Sequence, residues 1–309
     1  MPIAAWTVVG AVLLAAAIAA ARWTHHYMRV VEPTAVEVTR HEVVSVDLPP
    51  ALDGMSICQV SDAHLSDPPR NADALAEAIR SVRADLYVLT GDMVYGQAGI
   101  AAFFRWLDAL GDAVRPAVAV LGNAEHKRHV HTSEVVAGLE ARGVPLLVNA
   151  CMDFAFGGDS LQIVGTDDPH TERADVELAY AKAAPDRWTL LLAHSPDVVV
   201  DLGGRRADLV LCGHTHGGQV RVPMLGTAFN NTRRVKGLVA GWYEGEELVR
   251  LARRRVATVR VYVSRGLGTT RLPYRLCSRP ELPVFTLRGA PAAHGGGGRP
   301  GDRTGPSPA

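Results

Sequence analysis

The chain has few cysteines and none of them are closely spaced. Cys58, Cys151, Cys212 and Cys277 are the four among 309 residues, with no C-x-x-C pair. That excludes a zinc knuckle or a disulfide scaffold as the organising device. Cys58 and Cys212 lie inside apolar runs, so buried free thiols are expected. There is no excess of charge either. Lys+Arg and Asp+Glu each total 32, which removes a bulk nucleic-acid binder from the readings. No internal repeat is visible. Residues 2–21, PIAAWTVVGAVLLAAAIAAA, lack any charge. Twenty residues of helix span about 30 Å, the thickness of a bilayer core. No Lys or Arg precedes that run, where a secretory signal needs one. The expectation is an uncleaved, single-pass anchor in the cell membrane, against the rival of a cleaved signal and an exported, external protein. Arg22 and Arg29 follow the run, and positive charge on that flank puts the remaining chain on the cytoplasmic face.

What is present is a globular composition, 48% hydrophobic and 21% charged, with length for one large domain or two small ones. Strand and helix patterns alternate. SICQVSD (56–62), DLYVLTGD (85–92), AVAVLGN (117–123), WTLLLAH (188–194) and ADLVLCG (207–213) read as buried strands. Helical spacing covers 72–84, 100–111, 133–143, 173–184 and 196–203. The stretch 145–166 reads as a hairpin turning at Gly157-Gly158. Later β-like segments are GLVAGWYE, TVRVYVSRG and PVFTL. The expected organisation is an anchor at 1–22, a connector at 23–52, a layered α/β domain at 53–288, and a disordered Gly/Pro-rich tail at 289–309.

Polar residues collect at the C-terminal tips of the predicted strands, where open α/β sheets bind ligands. These tips supply Asp62 and His64, Asp92, Asn123, His194, and His214 with His216. Any one of them alone is more often a cap, a surface turn or a satisfied core histidine. Together they form a set of Asp, Asn and His ligands suited to divalent transition metals, enough for two ions if one carboxylate bridges.

In the order D-x-H, G-D, G-N, H, G-H-x-H, the chain resembles the calcineurin-like metallophosphoesterase superfamily over residues 56–219. GHTHGGQVRVP and YVSRGLGTTRLPYR resemble its membrane-associated bacterial branch, which includes lipid-linked phosphohydrolases. The resemblance implies a four-layer α/β/β/α sandwich of two mixed β-sheets flanked by helices. It also implies two divalent metal ions, manganese first, with iron or zinc open. Asp62, His64 and His216 would hold one ion, Asn123, His194 and His214 the other, and Asp92 would bridge them. Two such ions activate water and clamp phosphoryl oxygens. The implied activity is phosphoester or pyrophosphate hydrolysis. A phosphorylated or nucleotide-linked lipid is the expected substrate, a UDP-2,3-diacylglucosamine-type pyrophosphate first. Two alternatives stay open: a non-catalytic phospholipid-binding sensor, and a tethered cyclic-nucleotide phosphodiesterase.

One departure stands out. The superfamily places His directly after the Asn, where it can protonate the leaving oxygen; this chain has Ala124, then Glu125 at the acidic position that usually follows. Asp92, Asn123 and His216 remain candidates at the reacting centre. His126, or His129 or His131 beyond it, could supply the missing imidazole. Otherwise the substrate needs no proton, as for a pyrophosphate, whose phosphate leaving group has a second pKa of about 6. The basic stretches NTRRVKG and ELVRLARRR fit attraction to anionic headgroups, and fit equally an amphipathic helix packed on the domain.

Overall fold

The structure, a computed structural model, describes residues 2–67, 70–222, 224, 226–227, 230–252 and 259–290. The apolar segment forms α1 (Pro2–His26). Its large apolar side chains, Val12, Leu13, Leu14 and Ile18 among them, are exposed. Helix continues through a π-turn at Tyr27–Val31 into α2 (Glu32–Thr34). Among the described residues this is one helix long and apolar enough to cross a membrane.

The strands are β1 (Glu37–Ser45), β2 (Ser56–Val60), β3 (Leu86–Thr90), β4 (Ala117–Val120), β5 (Ala150–Phe156), β6 (Asp159–Gly165), β7 (Thr189–Leu192), β8 (Leu209–Cys212), β9 (Arg221–Val222), β10 (Gly226–Thr227), β11 (Gly241–Tyr243), β12 (Val261–Val263) and β13 (Glu281–Gly289). The helices after α2 are α3 (Ala72–Arg80), α4 (Gln97–Leu110), α5 (Thr132–Glu140), α6 (Val176–Tyr180) and α7 (Gly245–Ala252). One sheet runs β1-β13-β2-β3-β4 and the other β11-β12-β8-β7-β6-β5; each mixes parallel and antiparallel pairs. β9 and β10 form a separate small ribbon.

Each central strand buries both faces, which is why it reads as an apolar run rather than an alternation. Ile57, Leu86, Val88, Val118 and Val120 of the first sheet meet Leu161, Ile163, Leu190, Leu192, Leu209 and Leu211 of the second. The opposite faces pack on helices. Cys58, Val60, Tyr87 and Leu89 meet α3 and α4, with Phe103 and Trp106 buried there. Leu191, Val210 and Cys212 meet Val176, Val198 and Leu248 on the other side. The result is the expected four-layer sandwich of two mixed sheets flanked by helices. The hairpin turns at Gly157 and Gly158, both at positive φ as such a turn requires.

Several boundaries differ from the sequence reading. The segment 23–52 is more than a connector, because β1 lies within it as the sheet's edge strand, paired in parallel with β13 over nine residues. The helix expected over 173–184 is only α6, because the Asp175 side chain caps it by accepting from Leu178 N–H. The stretch 196–203 forms a 3₁₀ turn at Pro196–Val200. All four cysteines are free, but Cys151 is half-buried and Cys277 exposed. Of the basic stretches, α7 packs on the domain through Leu248 and Ala252. Strand β13 carries the domain through Gly289, and the tail beyond Ala290 lies outside the described residues.

Candidate metal centre

Strands β2, β3 and β4 are neighbours in one sheet, and β7 and β8 in the other. Their C-terminal tips meet at one edge of the sandwich. Asp62, His64, Asp92, His194, His214 and His216 are all buried there, and Asn123 lies half-buried beside them. Five of the seven hold left-handed backbone: Asp62 (φ 53°), His64 (44°), Asp92 (53°), His214 (72°) and His216 (51°). Such a conformation costs about 1–2 kcal/mol per non-glycine residue and concentrates where a site needs side chains aimed inward. Two glycines make room. A Cβ on Gly122 would stand 2.4 Å from Asp92 Oδ1, and one on Gly213 would stand 2.2 Å from Asp62 Oδ2.

The ligating atoms converge. His64 Nε2 lies 3.0 Å from His216 Nε2, and His214 Nδ1 lies 3.2 Å from His194 Nε2. Asp92 Oδ2 is 3.4 Å from His64 Nε2, Asp92 Oδ1 is 3.3 Å from His194 Nε2, and Asp62 Oδ1 is 3.3 Å from His216 Nε2. Two sets, Asp62 with His64 and His216, and Asp62 with Asp92 and His194, bring their donor atoms within 4.8 Å of one another. Asn123 Oδ1 is buried with no hydrogen-bond partner. A buried amide oxygen without a donor is costly, and a cation is a partner that oxygen can take. The donor set of imidazole nitrogens, carboxylate oxygens and an amide oxygen fits divalent metal.

The charges agree. Burial holds His64 down at about 4 and pushes His214 and His216 well below the ordinary histidine value, which leaves their ring lone pairs free. Burial pushes Asp62 up to about 6. Burial also pushes Asp92 up, but the charge and hydrogen bond of His194 more than reverse it, and Asp92 is held well below the usual carboxylate range. His194 is lowered by burial and raised further by Asp92, ending well above its ordinary value.

A surrounding layer fixes these groups. His194 Nδ1 pairs with Thr90 O at 2.8 Å, which leaves Nε2 for the centre. Ser61 Oγ donates to Asp62 Oδ2, and the backbone N–H of Ala124 donates to Asp92 Oδ1 at 2.6 Å. Glu125, at the acidic position the sequence singled out, accepts from the backbone N–H groups of Asp92, Met93, Val94 and Gly122. It clamps the loops after β3 and β4 to each other. Arg275 is a fully buried guanidinium that burial lowers to about 9. It donates to the carbonyls of Gly266, Gly268 and Ser278, and its Nη2 lies 3.5 Å from His216 Nδ1.

The three histidines behind Asn123 separate. His129 and His131 are exposed, and His131 pairs with Glu134. His126 Nε2 lies 2.5 Å from Asp167 Oδ1, with both side chains largely buried. The sequence reading passed over Asp167, Asp168 and His170. The His170 ring centroid is 4.4 Å from that of His214, and Asp168 accepts from the backbone N–H of His170. TDDPH follows β6 at the same edge of the sandwich, so the strand-tip rule applied to the hairpin's second strand finds it.

A buried constellation of this kind can bind cations and present them to a phosphoryl group. The profile of the calcineurin-like phosphoesterase family matches residues 55–218. The chain is 30% identical over 288 residues to the metallophosphoesterase YkuE of Bacillus subtilis, covering 89% of this chain and 93% of that protein. It is 31% identical to the phosphodiesterase YaeI of Escherichia coli, covering 84% and 92%. It is 27% identical to the UDP-2,3-diacylglucosamine pyrophosphatase LpxG of Chlamydia trachomatis, covering 87% and 93%. The chain with these two sheets and this edge of Asp, Asn and His belongs to the calcineurin-like metallophosphoesterases, metal-dependent phosphoester hydrolases.

Proposed function

We propose that the chain is a membrane-anchored, two-metal hydrolase that cleaves a pyrophosphate or an activated phosphoester of a lipid-linked substrate. Asp62, His64 and His216 hold one cation, Asn123, His194 and His214 the second, and Asp92 bridges. The observation that carries this reading is Asp92: its two oxygens face His64 and His194 separately, at 3.4 and 3.3 Å, while Asn123 Oδ1 stands buried without a partner. When bound, the two cations supply Lewis acidity toward the phosphoryl oxygens and an acidified water. The protein's own share is placement. Glu125 and the Ala124 N–H hold Asp92 in position, Thr90 O orients His194, and the closed packing around the cluster keeps the field strong.

The lipid-linked part of the reading rests on α1, an exposed apolar helix continuous with the domain, and on the similarity to a diacylglucosamine pyrophosphatase. Manganese is the first choice of metal, and the catalytic domain is assigned to the cytoplasmic face. Full-length protein in detergent, loaded with manganese, is to be assayed against lipid pyrophosphates, phosphomonoesters, alkyl phosphodiesters and cyclic nucleotides. Preferential turnover of the lipid pyrophosphate is expected. Turnover of cyclic nucleotides alone would replace this reading with the tethered phosphodiesterase. Metal binding with no turnover of any compound would leave a phospholipid sensor.

A further inference from the structure

Beside the metal centre lies a small cleft of about 100 Å³. Thr215, His216 and Val220 form one wall, and Thr270, Arg271 and Leu272 the other. The cleft begins at a metal-centre residue, its lining is almost wholly apolar, and Arg271 is one of the residues that line it. Gln219 fixes the two walls together. Its Nε2 donates to Thr270 O and Leu272 O, and its Oε1 accepts from Thr270 N–H. The two walls are therefore held in register by a buried amide that donates to one of them twice and accepts from it once.

Its position relative to α1 is the second observation. The 270–275 loop that makes one wall is tied to the end of the apolar helix. Arg275 N–H donates to Met28 O at 2.8 Å, and His25 Nε2 lies 3.1 Å from Tyr274 Oη. Trp23 stacks on Tyr27 one turn above that junction. Trp and Tyr at the end of a spanning helix sit at headgroup level, and Tyr274 joins them there. Leu272 is two residues before Tyr274, within about 7 Å along the chain. Leu272 is 51% exposed and offers its apolar side chain to the solvent at this end of the domain. An exposed apolar side chain beside the end of such a helix is suited to contact with lipid.

We infer that this cleft is an acyl-chain subsite. It takes one hydrocarbon chain of a membrane lipid from the bilayer beside α1, while that lipid's phosphate reaches the metal centre at His216 and Arg271 meets the negative charge at the mouth. The inference deepens the proposed function and rests on it for the identity of the bond cleaved. It adds the class of group that stands next to that bond.

Two measurements test it on the full-length protein. The first is kcat/KM for a phosphate-ester series differing only in acyl length. Burial of a methylene is worth about fourfold, so kcat/KM rises up to about fourfold per methylene and levels off once the cleft is filled. L272D puts a charge on the wall of the cleft and flattens that slope. A flat series in the wild type overturns the subsite. The second measurement does not depend on turnover. Phosphatidylglycerol vesicles carrying a diazirine at the end of one acyl chain are photolysed with the protein. Label is expected on peptides 215–222 and 269–276 as well as on α1, and L272D lowers the cleft label at least about fivefold relative to the α1 label. Label confined to α1 overturns the inference. Cleft labelling with no lipid hydrolysis would retain the subsite and overturn the enzymatic reading, so the two failures are distinct.

Discussion

Asp92 Oδ1 stands 3.3 Å from His194 Nε2, and the pair is buried to the last few per cent of its surface. The other Asp92 oxygen faces His64 across the cluster. A single carboxylate thus faces His64, from the tip of β2, and His194, from the tip of β7 in the other sheet, which is the placement a shared ligand of two cations would need. Removing its single negative charge should therefore affect both.

D92N is expected to lose bound metal and activity together. A metal contributes several kcal/mol of charge stabilisation, so about a thousandfold loss or more in kcat/KM follows at about 1.4 kcal/mol per tenfold. The check is metal per chain by elemental analysis beside the rate. A variant that keeps two metals per chain removes the bridging assignment.

Metal binding should also release protons, with a sign set by two groups. In the metal-free chain, His194 sits well above its ordinary value because Asp92 faces it, and it carries a proton at neutral pH that a cation must displace. Asp62, raised by burial to about 6, adds a second proton below that pH. His64, held at about 4 by burial, adds none above pH 5. Affinity should therefore rise with pH, about tenfold per unit for each proton displaced. Calorimetry in buffers of different ionisation enthalpy should give about one proton released at pH 7.5 and close to two at pH 5.5. Zero release at both would contradict the arrangement.

The convergence of the seven residues at one edge was legible because parallel strands buried on both faces leave a simple mark: an apolar run, then Gly, then a polar side chain, as in TGD and GHTH. His170 and Asp167 obey the same rule after β6, but the hairpin turn at Gly157-Gly158 drew the reading to β-structure and away from its far end. Strand β1 was not legible. EVTRHEVVS has a mixed edge-strand pattern, and its partner β13 comes more than two hundred residues later, so no local signal announces the pairing. Arg275 was also beyond reach, since a buried guanidinium bonded to backbone carbonyls looks like any surface arginine in sequence.

The strand β1 sets how far the chain can be shortened from its N-terminus. Met28 O accepts from Arg275 N–H, and the buried Glu32 carboxylate accepts from Ser278 N–H at 2.6 Å. A chain beginning at Tyr27 keeps both and should be soluble, folded and active on water-soluble esters. A chain beginning at Val46 loses the nine-residue pairing with β13 and leaves that strand as a bare edge. It should aggregate. Size-exclusion chromatography of the two truncations decides, and a monomeric, stable Val46 chain would show that β1 is dispensable.

The histidine absent after Asn123 remains to be accounted for. Ala124 is fully buried, and its backbone N–H donates to Asp92 Oδ1, a bond made by the main chain at this position. His126 is nearby, but its Nε2 is held by Asp167 at 2.5 Å, and Asp167 accepts from Asp168 N–H as well. That pairing ties the loop after β4 to the loop after β6, which is a structural duty sufficient to account for the burial of His126. With no free imidazole directly behind Asn123, leaving-group acidity should govern the rate. Pyrophosphates and esters of acidic phenols should be cleaved about 10²–10⁴ times faster than alkyl phosphodiesters, the range that a general acid ordinarily supplies. H126A and D167N should then lower thermal stability and leave the slope of rate against leaving-group pKa unchanged. The measurement is kcat/KM over a leaving-group series in the wild type and both variants, with a pH profile for each. A shallow slope in the wild type that steepens in H126A, together with loss of the basic limb of its pH profile, would make His126 the proton donor and Asp167 the residue that orients it.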